Sequence, residues 1–170
     1  MPSYTLRPNK NIVIQQWGHM IDHGAGYPHY ILETVEQLLK EADMPGLRYR
    51  QMEVSQGGRF GRKRDLLIVA HNNLRKYHIF VGARDVGIHL EVSWFMTISP
   101  GFLSGAISKR LMGSPQALSM RIPIFDQQDL NAWITVVEQC VGAAVTSLMK
   151  ELKQETTGLN TKSKGFLQLW

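Results

Sequence analysis

The chain has one cysteine among its 170 residues, Cys140. A single thiol can form no internal disulfide bond, so the fold needs no oxidising compartment and we expect the protein to reside in the cytoplasm. Cys140 also lies among apolar residues at helical spacing, where a buried thiol is normally unreactive. The cysteine content therefore excludes a disulfide-bonded scaffold and argues against a thiol nucleophile.

Long apolar runs are also missing. Residues 1–10 contain Arg7 and Lys10 with no apolar core behind them, so we expect no secretory signal. The most apolar stretch, residues 130–149, is interrupted by polar side chains at helical spacing, which is typical of an amphipathic helix that packs on a core. We therefore expect no transmembrane segment, and peripheral membrane contact stays open as an alternative.

The motifs of common enzymes are absent as well. Ser104 and Ser108 lack the G-x-S-x-G frame of a hydrolase, and the glycines within residues 57–61 do not have the spacing of a phosphate-binding loop. We therefore expect no catalytic residue and no cofactor. The sequence favours a non-enzymatic function without deciding it.

The sequence does contain a clear extended pattern. Apolar residues alternate with mostly polar ones over residues 88–98, which is typical of a half-buried β-strand in a sheet with one open face. Three further strand candidates precede it, and the connections between the four are short and rich in turn residues, which predicts an antiparallel meander over 47–55, 65–71, 77–82 and 88–98. Residues 11–17 and 117–124 are expected to add extended segments at the edges.

Two segments have the periodicity of helices. The first begins at Pro28 and ends before Met44-Pro45-Gly46. The second begins at Asp126, a favourable N-cap residue, and presents a wide apolar face as far as Leu152. The predicted class is α+β: an antiparallel four-stranded meander packed on one face by an N-terminal helix and a long C-terminal helix.

The length and a hydrophobic content of 44% suit one globular domain with a sizeable core. No interdomain linker or internal repeat interrupts it. We predict a flexible N-terminal arm at 1–10, a single α+β domain at 11–157 and a C-terminal tail at 158–170.

Basic residues outnumber acidic ones by 19 to 14, and the net charge of +5 suits an anionic partner. Four basic residues and one phenylalanine lie in the run R-F-G-R-K-R, at the tip of a predicted hairpin. Such a hairpin can hold phosphates while the aromatic ring stacks on a base. We therefore predict an adaptor domain that binds nucleic acid through Arg59, Phe60, Arg62, Lys63, Arg64, Arg75 and Lys76. The alternative is a solvated loop, because no RRM, KH or helix-turn-helix signature accompanies the charge.

Histidines cluster in residues 18–29, where glycines predict a loop over 18–27. Imidazole and carboxylate groups are ligands for divalent metals, so a metal-dependent enzyme is the alternative class. Its candidate ligands are His19, Asp22, His23 and His29. The glycines argue against the helix that would align them, so we predict no bound metal. His89 and Glu91 share one strand face and suit acid/base work, but an open sheet face ordinarily carries such residues as solvated surface.

A third class is a structural or assembly subunit. Residues 100–112 form an apolar segment set off by prolines and glycines, and the chain ends in the apolar run F-L-Q-L-W. Contact with a protein partner, a second copy or a membrane surface would use Phe102, Leu103, Ile107, Leu111 and Trp170. The bland alternative is that the segment covers the core, although its flanking residues favour exposure.

Overall fold

A computed structural model describes residues 12–56, 62–98, 123–156, 159 and 164–165. In chain order the elements are β1 (Ile12–Ile21), α1 (Pro28–Glu41), β2 (Leu47–Gln56), β3 (Arg62–His71), β4 (Tyr77–Val86), β5 (His89–Ile98), α2 (Ile124–Glu151) and the two-residue β6 (Lys164–Gly165). The predicted α+β class is confirmed.

The strands form one antiparallel sheet in the order β2-β3-β4-β5-β1-β6. Strands β2 to β5 are the predicted meander. Strand β1 is longer than predicted, because the residues after Trp17 continue to pair with β5 as far as Ile21 opposite Leu90. Residues 18–21 therefore lie in a strand and not in the predicted loop, since pairing with a neighbouring strand outweighs the local preference of Gly18.

The two helices begin differently from one another. Pro28 occupies the start of α1, as predicted, where its missing N–H costs nothing. In α2 the N-cap residue is Pro123, and no side chain caps the helix. The predicted N-cap Asp126 lies instead in the first turn, where its charge still favours the helix dipole. Ile124, predicted as extended, is the first residue of α2.

Both helices pack on the same face of the sheet. The buried residues of this helix side form one cluster, with Val69, Ile79 and Met96 from neighbouring strands and Trp133 from α2. The helix α2 is long and apolar enough to cross a membrane by length and composition, but half of its most apolar window is buried within the structure. A core helix passes the same test, and α2 contributes ten buried residues.

Strand β5 carries the predicted stripe of apolar residues. Leu90, Val92, Trp94, Met96 and Ile98 are all buried on the helix side. Ile88, predicted as part of the same stripe, is 57% exposed. The reason is that it follows Gly87, whose φ of 62° belongs to the turn between β4 and β5. The buried stripe therefore begins at Leu90, two residues later than the alternation suggests.

On the opposite face of the sheet, called the outer face here, side chains of neighbouring strands also lie next to one another. Arg50, Ile68, Phe80 and Phe95 are direct neighbours across β2, β3, β4 and β5. Because successive strand residues point to opposite sides, these four side chains share the outer face. This face mixes arginine with aromatic and aliphatic groups.

Candidate anion-binding surface

The residues predicted to bind anions are spread over the length of β3. Residues 57–61, which include Arg59 and Phe60, lie outside the described part of the chain. Arg62 is the first residue of β3 and pairs with Gln56. Arg64 follows on the outer face of the same strand and is exposed.

Lys63 is engaged by an acidic neighbour. Its ammonium lies 2.8 Å from the carboxylate of Glu53 on the adjacent strand. A hydrogen bond and the charge of Glu53 raise the pKa of Lys63 above its usual value. Its charge is therefore balanced locally, and we do not count it as a free anion contact.

Arg75 and Lys76 lie in the turn at the far end of β3. A strand rises about 3.4 Å per residue, so roughly 25 Å separate this turn from Arg64. The Arg75 Nε donates to the carbonyl of Asn72 at 3.1 Å, and the Lys76 ammonium lies 5.2 Å from the centre of the Tyr77 ring. These two residues contact their own turn, and the structure does not bring them together with the basic hairpin.

Strand β2 places two further arginines beside Arg64. Arg48 and Arg50 alternate with Leu47 and Tyr49, which pack against the core, so both arginines point to the outer face and are exposed. We call Arg48, Arg50 and Arg64 the basic stripe.

The register fixes the spacing of the basic stripe. Arg48 is paired with Ala70 and Arg50 with Ile68, while Arg64 stands opposite Val54. Arg48 and Arg50 are thus about 7 Å apart along the strand, and Arg64 lies about 14 Å further on. The stripe follows the exposed edge of the sheet, because β2 is its outermost strand.

Within the described residues, no carboxylate forms an ion pair with the basic stripe. The comparison with Arg84, also on the outer face, is informative, because Glu91 binds its guanidinium directly. Lys63 and Arg84 thus have partners of opposite charge, and the three arginines of the stripe have none among the described residues. Within that part of the chain, the stripe is a surface of uncompensated positive charge.

The helix side of the same edge has the opposite character. An open cleft between α1 and β2 is lined by Glu33, Glu36, Gln37, Lys40, Glu41 and Tyr49. Gln51 of β2 donates to Glu36 at 2.8 Å across this cleft. Three carboxylates against one lysine repel an anion there. The two sides of this sheet edge therefore carry charge of opposite sign among the described residues.

Sequence reasoning missed Arg48 and Arg50 as site residues, because it looked for basic residues that are close in sequence. The signal was present in the alternation L-R-Y-R-Q-M-E-V, where the arginines share one side of a strand with Met52 and Val54. Combining them with Arg64 requires the strand register.

The histidine cluster is dispersed. His19 lies on β1, where its ring stacks on Trp17 with the centroids 6.1 Å apart. Burial lowers the pKa of His19, and the charge of Asp22 opposes that shift. His29 is exposed in the first turn of α1. Across the described residues, no group of three or more histidine, cysteine, aspartate or glutamate side chains is arranged to hold a metal ion.

Asp22 and His23 instead contact the start of β5. The Asp22 carboxylate lies 3.1 Å from Nδ1 of His89, and the His23 ring meets the His89 ring edge-on at 6.2 Å. Since Glu91 binds Arg84, the two members of the predicted acid/base pair have different partners. These contacts hold the loop after β1 against the turn between β4 and β5.

Cys140 is buried in α2, and burial raises the pKa of its thiol. The predicted contact residues Phe102, Leu103, Ile107, Leu111 and Trp170 lie outside the described residues. Comparisons with models of known families, with characterised proteins and with solved structures gave no match. The function is therefore inferred from the contacts and charges described above.

Proposed function

We propose that this protein is a non-enzymatic binding domain that contacts nucleic acid through the basic stripe and through Arg59, Phe60 and Arg62 of the adjoining hairpin. One observation carries the proposal: Arg48, Arg50 and Arg64 share the outer face of the sheet edge and have no acidic partner among the described residues. A phosphate backbone would supply the missing charge.

Arginine is well suited to this task. Its guanidinium presents several N–H donors in a plane that matches a phosphate, and it keeps its charge at any physiological pH. Because β2 is an edge strand, phosphates can approach the stripe from the side of the sheet without meeting another strand. Contacts to phosphates carry little sequence information, so we expect binding that depends weakly on base sequence.

The test is the salt dependence of binding to labelled single-stranded oligonucleotides, followed by fluorescence anisotropy. The variant replaces Arg48, Arg50 and Arg64 by glutamine. For the unmodified protein, affinity should fall steeply between about 50 and 200 mM salt, because bound phosphates release counterions. Each lost phosphate contact should flatten the logarithmic salt slope by about 0.7, so the triple variant should lose about 2 units of slope.

A charge-matched control replaces Lys40, Lys150 and Lys153 by glutamine. Lys40 and Lys150 lie in the last turns of α1 and α2, and Lys153 follows α2, so the control removes the same net charge from the helix side of the sheet. The control should keep most of the affinity and of the slope. Equal losses in the two variants would show that net charge alone drives binding, and no binding by the unmodified protein would reject the proposal.

A further inference from the structure

Strand β2 ends the sheet on one side. It is the outermost strand in the order β2-β3-β4-β5-β1-β6, and among the described residues it pairs only with β3. An edge strand presents a row of backbone N–H and C=O groups to which another strand can bind. Proteins use such edges to dock extended segments of their partners.

The register shows which backbone groups of β2 point outwards. In an antiparallel pair, residues whose N–H and C=O groups bond the neighbouring strand alternate with residues whose groups point away from it. The N–H of Asn72 donates to the carbonyl of Gly46 at 2.9 Å, and the two residues stand opposite one another where the register of β2 and β3 continues. Every second residue counted from Gly46 therefore bonds β3. The residues between them point their N–H and C=O groups away from the sheet, and we call those of Tyr49, Gln51 and Glu53 the β2 edge.

The β2 edge lacks the usual protection. Edge strands are commonly protected by a proline, a bulge or a covering loop. Strand β2 is ten residues long, contains no proline or glycine, and pairs with β3 without a shift in register. Within the described part of the chain, the backbone groups of the β2 edge have no hydrogen-bond partner. The side chains of Gln51 and Glu53 are exposed, so an added strand can reach the backbone there.

The charges beside the β2 edge differ between the two sides of the sheet. On the helix side, the open cleft between α1 and β2 has a volume of about 900 Å³ and is lined by three carboxylates and one lysine. Glu36 lies close to the edge itself, because its carboxylate accepts the hydrogen bond from the Gln51 side chain. On the outer face the nearest charges are Arg48 and Arg50. An added strand therefore meets negative charge on one side and positive charge on the other.

This difference sets a requirement for the sequence of the added strand. Successive side chains of a strand point to opposite faces, and opposite residues of an antiparallel pair share a face. Every second side chain of the added strand would therefore point towards the acidic cleft, and one opposite Gln51 would lie next to Glu36. The intervening side chains would lie beside Arg48 and Arg50. Basic residues at the first positions and acidic residues at the second match these charges.

A second copy of this chain fits the β2 edge poorly. If two β2 strands paired antiparallel, the arginines of the copy would lie on the outer face beside Arg48 and Arg50. Glu53 of the copy would lie on the helix side, next to the acidic cleft. Like charges would then meet on both faces, which destabilises strand pairing. Charge complementarity therefore favours a different chain.

We propose that the β2 edge binds an extended segment of a partner protein in which basic and acidic residues alternate. The segment adds to β2 as an antiparallel strand, with its basic side chains towards the cleft and its acidic side chains beside Arg48 and Arg50. This inference goes beyond the nucleic-acid proposal. It rests on the backbone of β2 and on the cleft of the helix side, so either proposal can hold without the other.

The first test compares two eight-residue peptides of the same composition, both with neutral ends and a fluorescent label. One alternates lysine and glutamate. The other has the order K-K-E-E-K-K-E-E, which places both charges on each face of an extended chain. Measured by fluorescence anisotropy, the alternating peptide should bind at least about fivefold more tightly, because each misplaced exposed charge has a modest cost. Equal affinities, or no binding of either peptide, would overturn the proposal.

Methylation of the peptide backbone tests strand addition directly. In the antiparallel arrangement, the lysines that face the cleft also direct their N–H groups at β2, while the glutamate N–H groups point away from it. Methylating the lysine nitrogens of the alternating peptide should therefore abolish binding, and methylating the glutamate nitrogens should preserve it. Equal binding by the two methylated peptides would mean that side-chain charge alone attracts the peptide, contrary to the proposal.

Substitutions in the protein test the cleft. Replacing Glu33 and Glu36 by glutamine should weaken binding of the alternating peptide by about threefold or more, since two exposed charges are lost. The matched control combines Asp129→Asn with Glu155→Gln, which removes two exposed carboxylates from α2 and from the residues after it. The control should keep the affinity. Equal weakening in both variants would show that net charge and not the cleft is responsible.

Amide hydrogen exchange, followed by NMR, locates the bound peptide. In the protein alone the amides of Tyr49, Gln51 and Glu53 should exchange quickly, while those of Arg50 and Met52, which bond β3, should exchange slowly. Saturating alternating peptide should slow the first group and leave the second unchanged. Unchanged exchange at the β2 edge would contradict the proposal. Slow exchange there without peptide would mean that the chain itself or a second copy already occupies the edge, which would also overturn it.

Discussion

The two faces of this sheet differ in the side chains that they carry. On the helix side Val69, Ile79 and Met96 stand next to one another with no exposed surface, and the two helices lie above them. On the outer face each strand combines charged and apolar side chains, such as Arg50 beside Ile68. The helix side therefore supplies the main core of the fold, and the outer face carries the arginines on which the nucleic-acid proposal rests.

The faces also differ in how their polar groups are satisfied. On the helix side the polar contacts join elements: the Tyr30 hydroxyl of α1 donates to the Glu151 carboxylate of α2 and is also hydrogen-bonded to the Ser147 hydroxyl. On the outer face the pair of Arg84 and Glu91 is satisfied, while the basic stripe along β2 is left without a partner in the described residues.

The largest expected effect comes from the helix side. Trp133 in α2 has no exposed surface, so replacing it by alanine should reduce the free energy of unfolding by about 3–5 kcal/mol. Phe125 is an aromatic residue of the same helix with 76% exposure, and its replacement by alanine should cost less than about 0.5 kcal/mol. Urea denaturation followed by circular dichroism measures both. Similar losses at the two positions would mean that α2 is not fixed to the sheet by this face.

Most of the fold could be predicted because its helices and strands show a short-range periodicity of apolar residues. The alternation in β5 and the apolar face of α2 identify the helix side directly, since both patterns repeat on a single element. The end of β1 was not predictable in this way. Residues 18–21 extend the strand because they pair with residues 90–93 of β5, and no local pattern indicates a partner that lies 69 to 75 positions away in the sequence.

The candidate site was less predictable for the same reason. A cluster of charges in sequence drew attention to the hairpin tip, but Lys63 is paired with Glu53 and the turn at Arg75 lies at the other end of β3. Arg48 and Arg64 become neighbours on one surface only through the pairing of β2 with β3. The sequence shows how many charged residues a segment has, while the strand register determines which of them lie close together.

A medium effect is expected at the loop that joins β1 to α1. A Cβ atom added to Gly24 would lie 2.9 Å from Cβ of Leu90 and 3.2 Å from the carbonyl oxygen of Ile21. Replacing Gly24 by alanine should therefore lower the free energy of unfolding by about 1–3 kcal/mol, as overpacking does. The loss should appear in the melting temperature of the purified protein.

Gly142 provides the matched control for Gly24. It lies within α2 and an added Cβ meets no atom within 4 Å, so alanine there should stabilise the protein by about 0.5–1 kcal/mol through helix propensity. If the two substitutions change the free energy of unfolding in opposite directions, the result would show that the loop packs tightly against β5. If Gly24→Ala proves neutral, the loop moves freely over Leu90 and the contact between them is not rigid.

The smallest expected effect compares one histidine from each face. Burial lowers the pKa of His19 on the helix side, whereas burial and then the charge of Arg48 lower that of His78 on the outer face. An unfolded histidine titrates near 6.5, so below that pH the unfolded chain binds more protons than the folded one. The stabilising contribution of both residues is therefore present above pH 6.5 and is lost as the pH falls through their lowered pKa values.

Replacing Arg48 by glutamine separates the two histidines. The pKa of His78 should rise towards 6.5, because one of its two causes is removed, while the pKa of His19 should not move. Proton NMR of the imidazole rings during a pH titration measures both values. Arg50→Gln removes the same charge from the same strand face, but Arg50 stands opposite Ile68, one row away from His78, so its effect should be smaller. If the two substitutions raise the pKa of His78 equally, then the positive charge of the outer face acts on that histidine as a diffuse field and not through Arg48.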